Sequence, residues 1–83
     1  MKIIYKYELK SMISMPSGAE ILCVKEQRGA CMLYALIDTE NPPEIRKFSN
    51  VVTGGPMSKL EVKYIGTVMM FGGSYVQHIF ELL

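Results

Sequence analysis

The sequence contains few of the residues that build metal centres or charged binding surfaces. Its 83 residues include one histidine and two cysteines, and the formal net charge is +1. A structural zinc site needs four ligands, and the chain has no His, Cys, Asp and Glu group at the usual ligand spacing, so we expect no metal. The nine Lys and Arg residues are spread along the chain. This dispersal argues against binding of bulk duplex nucleic acid.

Long uncharged segments are also scarce. The stretch from Tyr64 to Phe80 lacks Asp, Glu, Lys and Arg, but Gly72-Gly73, Gln77 and His78 interrupt it, so we expect no membrane span. The first apolar run is broken by Lys2 and Lys6, which argues against a signal peptide. A cytoplasmic location is the resulting expectation.

Cys23 and Cys31 are the only cysteines. In a cytoplasmic protein we expect both to be reduced, small apolar side chains. The alternative is a disulfide, because paired strands of one hairpin would bring the two residues within bonding reach.

Apolar residues make up 49% of the chain and charged residues 20%, which is typical of a folded protein. We expect one domain spanning residues 1–83. A domain this small buries only about 60–65% of its unfolded surface. The apolar excess therefore predicts a homo-oligomer, with the C-terminal hairpin at or near the contact.

Apolar residues recur mostly at a spacing of two, which predicts an all-β fold. We expect a small meander or partly open barrel of six to seven short strands, near 2–9, 20–26, 31–37, 45–52, 60–71 and 74–82. The run 31–37 is continuously apolar and predicts a central strand. Two segments, 40–48 and 75–83, raise the question of helix, but prolines cut the first and β-branched and aromatic residues favour strand in the second.

Glycine and proline mark the turns between these strands. Pro16-Ser17-Gly18 predicts a turn, and Gly29 supplies the positive φ that a tight hairpin loop needs. Asp38 to Pro43 is read as a polar loop, in which Pro42-Pro43 cannot join a ladder. Gly72-Gly73 between two strand patterns is the clearest hairpin signal.

The loop Thr53-Gly54-Gly55-Pro56 is the first candidate binding site. Adjacent glycines let backbone amides approach an anion, and upstream Arg46 could bind a phosphate with two hydrogen bonds. Because alternate strand residues share a face, Phe48 would lie beside Arg46 and could stack on a base. The competing interpretation is a plain connection between strands and a surface arginine neutralised by Glu44.

His78 is the second candidate, on one face of the last strand with Val76, Phe80 and Leu82. The expected role is a structural side chain hydrogen-bonded to backbone, and the alternative is a general base or a ligand contact. No serine, threonine or cysteine pairs with it at a recognised catalytic spacing, and the loop carboxylates Asp38, Glu40 and Glu44 do not suggest an acid/base pair. We expect a protein that is not an enzyme, with no catalytic residues and no cofactor.

The assembled motifs resemble a family of small proteins encoded mostly by bacteriophages and prophages, with no assigned function. The resemblance covers nearly the whole chain and is carried by Met15-Pro16-x-Gly18-Ala19-x-Ile21-Leu22, Leu33-Tyr34-Ala35-Leu36-Ile37-Asp38, Arg46-x-Phe48, Thr53-Gly54-x-Pro56, Tyr64-Ile65-Gly66-Thr67 and Gly72-Gly73-x-x-Val76-x-His78-x-Phe80-Glu81. The sequence departs from the family at Cys31-Met32 and Gly55. The resemblance implies a phage accessory protein in the bacterial cytoplasm.

Two functions follow for such a protein. The first is sequestration of a small anionic signal of host defence, such as a nucleotide, by Arg46, Phe48, Thr53, Gly54, Gly55 and His78. The second is inhibition of a host defence or metabolic enzyme by an edge strand or an apolar face. A concave site that joins Arg46, Phe48 and His78 would favour the first, and a flat, exposed apolar patch away from those residues would favour the second.

Overall fold

Seven β-strands and one 3-10 turn form this computed structural model, which describes residues 1–57 and 61–83. All paired strands run antiparallel, so the all-β prediction is confirmed. The strands are β1 (Lys2–Glu8), β2 (Met12–Pro16), β3 (Glu20–Gln27), β4 (Ala30–Asp38), β5 (Pro43–Val52), β6 (Val62–Met70) and β7 (Tyr75–Leu82), and the 3-10 turn covers Phe71–Gly73.

The strands divide into two sheets that pack face to face as a partly open sandwich. A three-stranded sheet has the order β1-β4-β3, and a four-stranded sheet has the order β2-β5-β7-β6. The described strands do not close into one barrel. The core lies between the sheets and consists of Ile13, Met15, Ala19, Val24, Cys31, Leu33, Ala35, Ile37, Phe48, Val68, Met70 and Ile79.

The central strand of the smaller sheet is β4, as its apolar run predicts. Its residues alternate strictly between buried and half-buried positions, with Leu33 and Ala35 fully buried. Because successive strand residues point to opposite faces, Met32, Tyr34 and Leu36 lie on the other face of the sheet. The apolar run of β4 therefore supplies core residues on one face and half-buried side chains, flanked by β1 and β3, on the other.

A close approach between β3 and β6 joins the two sheets at one side of the sandwich. Each strand carries a bulge, with Leu22 as the extra residue in β3 and Ile65 in β6. At Gly66, beside the second bulge, a Cβ atom would lie 2.9 Å from Val24 Cγ1. Only glycine leaves room for this contact, so Gly66 sets how near the two strands can come.

The predicted strands agree with the observed ones apart from one omission. Residues 12–16 form β2, a strand that the sequence analysis leaves unassigned. In β2, Ile13 and Met15 are buried while Met12 and Ser14 are exposed. Three apolar residues in the first four positions obscure this alternation. Residue 60 of the predicted strand 60–71 lies outside the described residues.

The prediction that Pro43 lies in a loop is wrong. Pro43 is the first residue of β5 and pairs with Pro16 at the end of β2. A proline is compatible with a strand at this position because its missing N–H falls at the end of the ladder. Pro42 lies outside the strand, and its carbonyl accepts a hydrogen bond from the Ser17 amide at 2.8 Å.

Both predicted hairpins are present. Arg28 and Gly29 have φ of 53° and 82° and form a two-residue loop with positive φ at both central positions, as in a type I′ turn. At the second hairpin Met70 pairs with Tyr75, so the loop has four residues and includes the 3-10 turn. Phe71 there has a φ of 52° and is 73% exposed.

Both cysteines are free, which answers the question left open by the sequence. Cys23 is opposite Tyr34 on the face of the smaller sheet that points away from the core, whereas Cys31 is buried in the core. The two thiols therefore lie on opposite faces of one sheet and cannot meet.

Candidate binding site

Arg46 lies on the inner face of the four-stranded sheet, where its side chain links β5 to β7 and to the residue before β3. Its Nε donates to Glu81 Oε2 at 2.6 Å and its Nη2 donates to Glu81 Oε1 at 2.8 Å. The remaining terminal nitrogen, Nη1, donates to the Ala19 carbonyl. Only 17% of the Arg46 side chain and 10% of the Glu81 side chain are exposed. These hydrogen bonds raise the pKa of Arg46 against the opposing effect of burial.

The partner of Arg46 is thus Glu81 on β7, and not Glu44 as the structural interpretation of the sequence expects. All three nitrogens of the guanidinium already donate to protein oxygens. Arg46 borders an open depression of about 530 Å³ together with Lys47, Glu81 and Leu82. Phe48, Thr53 and His78 are not among the residues that line it.

Phe48 shares the inner face with Arg46, as the alternation along the strand predicts. Its side chain is 3% exposed and belongs to the core. Its ring packs between the sheets and presents no free face for stacking on a base.

The loop at residues 53–55 is a turn whose amides are directed to the backbone. The Gly55 amide donates to the Val52 carbonyl at 2.9 Å, and the Thr53 amide donates to Val76 at 3.3 Å. Gly54 has a φ of 84°, which explains the need for glycine at this position. Two of the three loop amides are therefore engaged in joining β5 to its surroundings.

His78 lies on the opposite face of the four-stranded sheet from Arg46 and Phe48. Its Nε2 is 2.8 Å from Thr53 Oγ1, and its Nδ1 is 3.0 Å from Thr67 Oγ1. The Thr67 hydroxyl also contacts the Tyr64 hydroxyl at 2.5 Å. We call these four residues the His78 cluster. A neutral imidazole has one donor and one acceptor nitrogen, and hydroxyls can satisfy both.

The structure thus brings Thr53 and His78 together and separates them from Arg46 and Phe48. Thr67 and Tyr64 complete the cluster, and the sequence analysis does not assign them to a site. The hairpin signal could have found Thr67, because a reversal centred on Gly72-Gly73 already places Thr67 opposite His78. The bulge at Ile65 then shifts the register by one, which brings Tyr64 opposite Phe80.

The face that carries the His78 cluster is mostly apolar, and we call it the outer face. Its exposed side chains include Met69 at 68%, Ile45 at 60%, Met12 at 59% and Tyr64 at 56%. Among the outward-pointing residues of the four strands, all within the described part of the chain, Lys47 alone carries a formal charge. The remaining apolar positions of the outer face are Val51, Val62, Val76, Phe80 and Leu82.

The corresponding face of the smaller sheet is different. Charged residues occupy much of its outward-pointing surface, and the apolar Ile4 lies between two lysines of β1. A sheet face that is exposed to water usually carries charged and polar side chains. The charged positions are Lys2, Lys6, Glu8, Glu20, Lys25 and Asp38.

The described part of the chain contains neither a metal-binding cluster nor a membrane-spanning helix. Within residues 1–57 and 61–83, no group of three His, Cys, Asp or Glu side chains is arranged to hold a metal ion. The same residues include no helix long and apolar enough to cross a membrane.

A family described as a domain of unknown function (DUF7352) matches residues 1–83. The chain belongs to this family. No curated protein and no solved structure matches it. The DUF7352 description names no activity or ligand, so the His78 cluster and the outer face have to be interpreted from their own chemistry.

Proposed function

We propose that this DUF7352 protein is a non-enzymatic accessory protein that acts by protein–protein association through its outer face. The observation that carries the proposal is the exposure of Met12, Ile45, Tyr64 and Met69 on one sheet with a single charged neighbour, Lys47. Contiguous apolar patches of this kind are rare on surfaces that remain in water. The cores of protein interfaces are depleted of charge in the same way.

The His78 cluster supports a protein partner. Its hydroxyls and imidazole are already hydrogen-bonded to each other. Covering them with another protein leaves no buried polar group without a partner, which would otherwise cost about 1–3 kcal/mol for each group. A partner can therefore cover these four side chains without supplying polar groups that match them.

Catalysis has less support in the same cluster. A general base of the Ser-His-Asp type needs a third group that orients the imidazole and stabilises its charge. The groups that contact both nitrogens of His78 are threonine hydroxyls, which carry no charge.

Sequestration of a nucleotide also has less support than protein association. The ion pair with Glu81 occupies Arg46, and Phe48 is buried. Capture of a phosphate by Arg46 would require breaking its bidentate contact first, which opposes binding.

The resemblance to phage and prophage proteins suggests the setting. In a bacterial cytoplasm, an apolar sheet face can inhibit a host defence or metabolic enzyme by covering part of its surface. Inhibition of this kind requires shape and apolar complementarity and no chemistry by the phage protein.

Capture from a bacterial extract tests the proposal. The wild-type protein, Met69→Glu and Ile4→Glu would each be immobilised, and retained proteins, including untagged copies of the chain itself, would be quantified by mass spectrometry. Met69 and Ile4 are similarly exposed, at 68% and 64%. Met69 lies on the outer face, whereas Ile4 lies on the charged face of the other sheet. We expect partners bound by the wild type and Ile4→Glu and lost by Met69→Glu.

A parallel thermal-shift screen against linear and cyclic nucleotides covers the competing function. A ligand of the folded state raises the melting temperature. The association proposal fails if Met69→Glu retains the same partners as Ile4→Glu. A nucleotide that stabilises the wild type but not His78→Ala would support the ligand function in its place.

A further inference from the structure

We infer that the outer face binds a second copy of this chain, forming a two-fold dimer in which two four-stranded sheets pack face to face. The inference rests on the proposed role of this face as a protein interface and names its partner. Its first support is self-complementarity. A nearly uncharged, apolar sheet face is complementary to an identical copy of itself.

The size of the face fits a small dimer. Four strands about 4.8 Å apart and eight residues rising about 3.3 Å each give a face of about 19 by 26 Å, or about 500 Å² in projection. Side-chain relief enlarges the accessible surface beyond this projection. Stable interfaces of standard size bury about 800 Å² on each partner, and the smallest specific ones bury less than about 600 Å².

The position of Lys47 is compatible with two-fold symmetry. Lys47 pairs with Leu82, whereas His78 near the middle of β7 pairs with Val51. Four residues along the strand separate the two levels, a distance of about 13 Å. A two-fold axis that lies between the two sheets and crosses the strands at the level of His78 places the two Lys47 residues about 26 Å apart, beyond the ~8 Å screening length at physiological salt. This arrangement therefore keeps the two Lys47 side chains apart.

The His78 cluster lies at that level, where the interface would be most deeply buried. Its internal hydrogen bonds allow it to face its symmetry mate without losing partners. The flanking apolar side chains Val76 and Phe80 then provide the contacts that drive association, because burial of apolar surface from water is the dominant favourable contribution.

Sedimentation equilibrium and light scattering on the purified chain test this inference. We expect the wild type and Ile4→Glu to have twice the mass of one chain at about 100 µM, a concentration well above the micromolar dissociation constants of weak specific complexes. Met69→Glu and Ile45→Glu, at exposed positions on β6 and β5, should raise the dissociation constant at least about tenfold, because each places a charge in the interface. Circular dichroism confirms that the variants keep the fold.

A second measurement does not depend on any variant. The melting temperature of a dimer rises with protein concentration, whereas that of a monomer is constant. We expect a rise for the wild type and a constant value for Met69→Glu.

The opposing outcomes are distinct. A monomeric wild type at about 100 µM overturns the dimer and leaves a different protein as the occupant of the face, so the proposed function survives if capture still depends on Met69. A dimer that persists in both Met69→Glu and Ile45→Glu overturns this face as the site of self-association.

Discussion

At the scale of single residues, Arg46 and Glu81 form a largely buried charged pair on the inner face of the four-stranded sheet. The geometry is favourable because the carboxylate accepts two parallel hydrogen bonds and the third guanidinium nitrogen donates to the Ala19 carbonyl. Each charge offsets the cost of removing the other from water, because either one alone would be buried without a partner. The pair also links β5 and β7 to the start of β3.

Arg46→Ala is predicted to lower the free energy of unfolding by about 2 kcal/mol or more, because it leaves the Glu81 carboxylate buried without its partner. Urea denaturation at neutral pH measures the change. The double variant Arg46→Met/Glu81→Leu should recover much of the loss, since apolar residues can replace a buried pair. Equal destabilisation by the double variant and the sum of its single variants would show that the two residues are not coupled.

Asp38, the last residue of β4, is a second charged residue whose contacts affect stability. The Glu40 amide donates to its Oδ1 at 3.1 Å, and the Met1 ammonium lies 3.2 Å from the same oxygen. These contacts lower the pKa of Asp38 from its ordinary value of 3.8, with the Glu40 amide as the largest cause. The folded state therefore binds the proton less tightly than the unfolded state.

The resulting stabilisation is present above the ordinary pKa of 3.8 and is lost as the pH falls through the lower folded value. Asp38→Asn should therefore reduce stability at neutral pH and flatten the fall in stability below about pH 4. Denaturation midpoints measured across this range test the prediction, with Glu40→Gln as the control. An unchanged acid limb in Asp38→Asn would contradict it.

At the scale of elements, the contact between β3 and β6 depends on their two bulges. A bulge bends its strand and increases its twist. Here the bent strands approach each other at one side of the sandwich, and Gly66 faces Val24 across the gap. The packing of these two edge strands fixes how the sheets meet.

Gly66→Ala should therefore destabilise the protein by about 1–3 kcal/mol, as expected for overpacking in a tight core. The added Cβ would lie 2.9 Å from Val24 Cγ1, so one strand has to shift. Gly66→Ala/Val24→Ala removes the clashing methyl group and should be less destabilised than the sum of the two single changes. Thermal unfolding of the three variants tests this coupling, and strict additivity would contradict the steric explanation.

At the scale of the whole molecule, the two-layer arrangement gives the cysteines different environments. Cys31 lies in the core with its Sγ 4.0 Å from Met70 Sδ, and burial raises the pKa of its thiol. Cys23 lies on the other face of the same sheet and is only half-buried. A thiol reacts through its thiolate. Burial therefore protects Cys31 by blocking access of reagents and by raising its pKa, which lowers the thiolate fraction.

Maleimide labelling of the native protein should therefore modify Cys23 faster than Cys31, and both at similar rates in denaturant. Cys23→Ser and Cys31→Ser identify the site of each reaction. Reducing agent should leave the melting temperature unchanged, because the thiols are free. Faster native labelling of Cys31 would contradict the two-layer arrangement.

The sequence by itself determined most of the strands, because their patterns are local. The apolar patterns of β1 and β7 and the positive φ available at Gly29 are properties of neighbouring residues. Strand alternation placed Arg46 and Phe48 on one face. The strand β2 was missed because the alternation rule assumes that apolar side chains are buried, whereas Met12 is apolar and exposed.

Only the tertiary structure decided which face of each strand is covered. Arg46 and Phe48 point into the sandwich and His78 points out of it, because β5 and β7 are paired in a register that no local signal specifies. The pairing of Arg46 with Glu81 joins residues 35 positions apart for the same reason. Strand alternation fixes two faces, but long-range packing of the sheets assigns one to the core and the other to solvent or a partner.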